Sequence, residues 1–207
     1  ENFTLNQHRI VLKTIELSDQ ELVAAFLNGN DLSIETLINR HRSKVYTYIY
    51  LTIKNHSLAE DLFQETFIKV IQSLRAGKYK DNGRFLSWVI RIAHNLIIDH
   101  FRKEKQMNSV SNDDSELDLL NNKKLAEDNI EDLLVSDQIR EDIRKLINEL
   151  PADQREVVLM RHFGGLSFKE IADQTGVSIN TALGRMRYAL INLRKMIKEK
   201  NLSLTVM

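Results

Sequence analysis

A capping box, a glycine stop and a second cap follow one another in residues 167–198, SFKEIADQTGVSINTALGRMRYALINLRKMIK, and no other stretch constrains the fold as tightly. Ser167 with Glu170 three positions on starts a helix. Gly176 takes the left-handed conformation that ends it, and Ser178 caps a second, longer helix. Two helices joined by so short a glycine-containing turn read as helix-turn-helix, with Ala172 small at the crossing and Val177 plugging the turn. Stepping about 100° per residue from Ile179 places Ala182, Leu183, Met186, Ala189, Leu190, Leu193 and Ile197 on its apolar arc. Asn180, Thr181, Gly184, Tyr188 and Lys195 lie opposite, flanked by Arg185 and Arg187. A small residue, hydrogen-bonding groups and arginines on a protruding face suit a helix in a DNA major groove. An ordinary amphipathic helix with a solvated basic face has the same pattern, so this stretch alone leaves both readings open.

The remainder extends the helical pattern. One proline and seven glycines in 207 residues, with Leu and Ile at helical spacing, predict an all-α protein. The expected architecture is two small helical domains joined by a flexible linker, with the helix-turn-helix in the second. With no cysteine, disulfides and thiolate metal sites are excluded, which fits a reducing compartment. No long charge-free apolar run and no signal-peptide pattern occur, so a cytoplasmic protein without a membrane span is expected. The chain opens on Glu1 rather than Met, so a missing true start is an expectation.

A net charge of zero conceals segregation. Residues 78–105 hold seven Lys/Arg against three Asp/Glu, residues 107–142 three against eleven, and residues 178–200 six against one. Two basic segments either side of an acidic one predict two nucleic-acid contacts and a connector.

In chain order, residues 1–17 form an arm without a clear signal. Residues 18–106 form a first domain, 107–136 an acidic linker with a short helix near 121–134, and 137–207 a second domain. Ser18 and Glu21 make a capping box for a helix to about Leu27. After a turn at 28–31, a long helix runs to about Lys54. Ser57 and Glu60 cap the next, which ends near Arg75. On it Leu62, Phe63, Phe67, Val70, Ile71 and Leu74 can bury. Asp61, Gln64, Glu65 and Ile68, with Lys69 at the edge, make a different face: a solvated surface or, given its exposed isoleucine, a protein contact.

The loop 76–83, AGKYKDNG, carries Lys78 and Lys80 and leads into a helix over 84–105. Arg84, Arg91, Asn95 and Arg102 fall on one stripe, with Trp88 and Asp99 at its edge and Phe85 towards the core. Cations, an amide and an indole on one face can grip phosphates and stack on unpaired bases, although a lone Trp is more often core. His94 and His100 lie about 240° apart round the helix and cannot share a metal. No nucleotide-binding glycine loop, nucleophile elbow or zinc motif occurs, so neither catalysis nor a cofactor is predicted.

Three pieces in this order, AEDLFQETFIKVIQSL, GRFLSWVIRIAHNLIIDHFRKEK and ELPADQREVVLMRHFGGLSFKEIADQTGVSINTALGRMRYALINLRK, resemble the extracytoplasmic-function (ECF) sigma factors of bacteria. The likeness covers about residues 20–105 and 137–198. It implies a promoter-melting domain, a linker that threads towards the polymerase active-site cleft, and a −35-binding domain. By that resemblance Asp61, Gln64, Glu65, Ile68 and Lys69 dock on core RNA polymerase. Lys78, Lys80, Arg84, Phe85, Trp88, Arg91, Asn95 and Arg102 read and open the single-stranded −10 element. Ser178, Asn180, Thr181, Gly184, Arg185, Arg187 and Tyr188 read the duplex −35 element. An anti-sigma factor is an expected partner, and neither metal nor cofactor is implied. Gly184 and Tyr188 depart from the family's usual serine and basic residue, and the linker is unusually long and acidic. The competing readings are a free-standing helix-turn-helix regulator of duplex DNA and a nucleic-acid-processing enzyme. The separate basic helix with Trp88 disfavours the first, and the lack of clustered acid, His or Cys residues the second.

Overall fold

The computed structural model describes residues 17–80, 82–108 and 134–202, and every regular element among them is an α-helix. The predicted arm, most of the predicted linker and its short helix lie outside the described residues. Among the described residues two compact units can be distinguished, one from residues 17–49 and 56–108 and the other from 50–55 and 134–202.

In the first unit α1 (Asp19–Leu27) starts where the sequence places it. Ser18 Oγ accepts from Glu21 N at 3.3 Å, and Glu21 Oε2 accepts from Ser18 N at 2.8 Å. Such a cap is worth about 1 kcal/mol. Then come α2 (Asp31–Ile53), α3 (His56–Arg75) and α4 (Phe85–Asn108). Helix α3 begins one residue before the predicted Ser57 cap, so Ser57 lies within its first turn. Helix α4 continues past 105, because nothing in KEKQMN breaks a helix. Leu22, Tyr48, Ile49, Val70, Val89 and Ile90 are wholly buried, and α3 packs on α4. A buried polar contact crosses this core: the Tyr48 hydroxyl on α2 lies 3.0 Å from His94 Nδ1 on α4.

The second unit contains α5 (Leu134–Glu149), α6 (Ala152–His162), α7 (Phe168–Thr175) and α8 (Ile179–Glu199). Leu146, Val157, Leu159, Met160, Leu166 and Ile171 form its core. Pro151 stands just before α6, where its missing N–H costs nothing. The helix-turn-helix is built as its residues predict. Ser167 and Glu170 close a capping box, and Gly176 ends α7 at φ 68°. Ser178 Oγ then accepts from Thr181 N at 3.0 Å to start α8. Arg155 is buried and donates to the Asn148 carbonyl at 2.8 Å, closing the end of α5 onto α6.

The buried side of α8 is rotated from the arc that sequence periodicity predicts. Ala182 and Ala189 are fully buried, but Leu183 and Leu190 are 44% and 45% exposed. Two alanines let α8 approach α6 and α7 closely, so the contact centres on them. The larger leucines fall at the margin, and Arg185 turns inward.

Candidate nucleic-acid interface

Two cationic helix faces stand out, one in each unit, and they differ in make-up. On α4, Asn95 and Arg102 are exposed, and Arg84, Trp88 and Arg91 are half-buried. Arg102 pairs with Asp99 at 3.0 Å, an exposed contact of little strength. Ile98, 47% exposed, lies on the same face beside Arg91 and Asn95 and adds an apolar member to it.

At the head of this helix the aromatics form a cluster. The Tyr79 ring centroid lies 4.6 Å from that of Trp88 and 5.9 Å from that of Phe85, and Phe85 lies 5.9 Å from Trp88. Trp88 is partly buried and keeps some exposure over a fully buried Phe85. Phe85 is 1% exposed and supports the other two rings from beneath, so it is a seat for the cluster and not a surface contact. His41 extends the seat, 5.6 Å from Phe85, while its Nε2 meets Asp19 Oδ2 at 2.8 Å. Burial lowers the His41 pKa despite the opposing pull of Asp19. Tyr79 was not among the predicted site residues. Its signal was present, an aromatic between two lysines in a Gly/Asn-rich loop. Lys78 and Lys80 flank it, both exposed.

On α3 the predicted docking stripe is a surface. Asp61, Gln64, Glu65 and Lys69 are exposed and Ile68 is 54% exposed, with Glu65 and Lys69 3.6 Å apart. Leu62, Phe63, Phe67 and Val70 are buried on the other side.

On α8, Ser178, Asn180, Thr181, Arg187 and Tyr188 are exposed, Tyr188 at 62%. The Thr181 hydroxyl is engaged with Ser178 Oγ at 2.9 Å. A Cβ added at Gly184 would meet nothing within 4 Å, so packing does not demand a glycine there. Gly184 lines an open cleft of about 440 Å³ between the start of α6 and the outer face of α8. Arg185 differs from its neighbours: it lies along the cleft and its Nη2 donates to Asp153 Oδ2 at 2.6 Å.

Among the described residues no group of three or more His, Cys, Asp or Glu could hold a metal ion, and no helix is long and apolar enough to cross a membrane. His94, which invites a metal reading, is buried and bonded to Tyr48; burial pushes its pKa down to about 4, so it is neutral.

The chain matches the sigma-70 region 2 family over residues 37–107 and the sigma-70 region 4 family over residues 140–188. It is 30% identical over 177 residues to the RNA polymerase sigma factor CarQ of Myxococcus xanthus, covering 86% of this chain and 96% of that protein. To the ECF RNA polymerase sigma factor SigW of Bacillus subtilis it is 25% identical over 188 residues, covering 89% and 100%. The same fold occurs in CnrH, solved in complex with the cytosolic domain of CnrY, with a TM-score of 0.54, 20% identity and 87% and 97% coverage. It occurs also in RpoE of Bartonella quintana, solved with the anti-sigma factor NepR, with a TM-score of 0.56, 22% identity and 79% and 96% coverage.

Proposed function

Since the chain belongs to the extracytoplasmic-function (ECF) family of RNA polymerase sigma factors, we propose how the work of a sigma factor is divided between its two units. A sigma factor directs core RNA polymerase to promoters and contributes no catalysis of its own. The first unit docks on core polymerase through Asp61, Gln64, Glu65, Ile68 and Lys69. It holds the unpaired −10 strand with Lys78, Lys80, Arg84, Trp88, Arg91, Asn95 and Arg102, with Tyr79 beside Trp88 and Phe85 beneath. The second unit reads the −35 duplex with Ser178, Asn180, Thr181, Gly184, Arg185, Arg187 and Tyr188.

The difference between the two cationic faces carries this reading. Reading a duplex needs hydrogen-bonding groups at base edges, which the exposed side of α8 supplies. Holding a melted strand needs in addition a surface on which bases stack, which the partly exposed Tyr79–Trp88 pair at the head of α4 supplies. A regulator that binds only duplex DNA has no use for the second.

Mixing the purified chain with core polymerase and a supercoiled promoter library tests the reading. RNA with defined starts, made only when both proteins are present, is the expected result. Equal DNA selection by the chain alone, with no effect of core, would favour the free-standing regulator. RpoE of the same fold has been solved with an anti-sigma factor, and we extend that mode of control to this chain. A pull-down on the tagged chain, with the captured protein tested for blocking core-polymerase binding, is the direct check.

A further inference from the structure

Of the predicted −35 residues, Gly184 and Arg185 are partly buried and the others exposed, so Arg185 is the long side chain among them that does not stand out into solvent. Its side chain is 23% exposed and lies across the first turn of α6, whereas Asp153, which holds it at 2.6 Å, is 63% exposed. Gln154 on the same turn accepts from Asn192 Nδ2 at 2.8 Å. Glu156 lies further along α6 and feels the same guanidinium: burial raises its carboxyl pKa and Arg185 opposes the rise. The guanidinium is still reachable, because Arg185 lines the cleft with Thr181, Gly184 and Tyr188. It has five N–H donors, of which the bond to Asp153 uses one.

We propose that Asp153 is a positioning residue for −35 recognition: it anchors one guanidinium nitrogen so that the rest of the Arg185 fork meets a guanine edge bidentately. This rests on the reading of α8 as the −35 helix. The physical reasons are two. An unanchored arginine is highly flexible and must be ordered when it binds, whereas one already fixed by a carboxylate is ordered beforehand. The carboxylate also places a negative charge at the mouth of the cleft, which works against indiscriminate gripping of phosphates. Asp153 thus raises selectivity without raising general affinity.

The test uses the full chain assembled with core polymerase. Wild type first selects duplexes from a library randomised over the −35 segment. Competition then compares the selected duplex, its single-base-pair variants and an unrelated duplex at fixed salt. Asp153→Ala should lower discrimination at one G·C pair by about 5- to 100-fold, with affinity for the unrelated duplex unchanged or higher. Asp153→Asn, which keeps an oxygen acceptor, should fall between. Arg185→Lys, which keeps the charge but not the fork, should lose the same discrimination. In an Arg185→Ala background Asp153→Ala should change nothing further. Discrimination by Asp153→Ala equal to wild type overturns the proposal. So does an equal fall in both affinities, which would make Asp153 a brace between α6 and α8. A wild-type assembly that selects no −35 sequence at all would overturn the reading of α8 itself, a separate result.

Discussion

His94 should make the first unit labile to acid by an amount that follows from its surroundings. The side chain is 5% exposed, bonded to Tyr48, and burial lowers its pKa from 6.5 to about 4. In the unfolded chain the imidazole titrates near the ordinary value. Between the two pKa values the unfolded state takes up a proton that the native state refuses, so stability falls as pH falls. The contribution is intact above the unfolded pKa and is lost progressively towards the folded one. A shift of this size is worth about 3 kcal/mol in all, of which about 2 kcal/mol should be gone at pH 5 relative to pH 7.5. Trp88 is the chain's only tryptophan and lies in the same unit, so its fluorescence during urea titration reports the right transition. His41, also lowered by burial, acts in the same direction, so the decisive comparison is with His94→Gln. The variant should lose about 2 kcal/mol less than wild type between those two pH values. An identical loss in variant and wild type would refute the reasoning, since no proton would then be excluded by this core.

Reversing Asp61 and Glu65 together to Lys should weaken binding to core polymerase by about 1 kcal/mol or more, with helical content by circular dichroism unchanged because both are exposed; unaltered affinity in a titration of labelled core sinks the docking assignment. Replacing Arg91 and Asn95 together by Ala should preserve core binding and −35 contact yet impair strand opening in permanganate footprints. That defect should shrink on a template whose −10 region is already mismatched, and normal opening on a paired promoter would make this face a mere solvated surface. Gly176→Ala should cost the second unit about 1 kcal/mol in thermal unfolding. The added Cβ meets no atom within 4 Å, so the penalty comes only from the left-handed backbone; no change in midpoint would refute it.

What the sequence determined by itself was local. Ser18 with Glu21, Ser167 with Glu170, Ser178 with Thr181, and Gly176 act through bonds and backbone angles that span four residues or fewer. Their outcome therefore does not depend on the rest of the fold, and the helix-turn-helix could be placed before any packing was known. The exposed side of α3 was legible for a related reason: the large apolar residues of that helix, Ile68 excepted, fall on a single face, which leaves the polar side outward. Tertiary structure decided what lies further apart in sequence. Which flank of α8 turns inward depends on how closely α6 and α7 approach Ala182 and Ala189, and that approach is what carries Arg185 onto Asp153. Helical periodicity gives the period of a buried stripe but only a loose estimate of its centre, since the partner's shape sets the contact. The same holds for Tyr79 against Trp88 and for His94 against Tyr48, whose partners come from different segments of the chain. Whether an aromatic or a histidine is buried, half-open or paired is a property of the elements that meet around it, and no local pattern encodes that meeting.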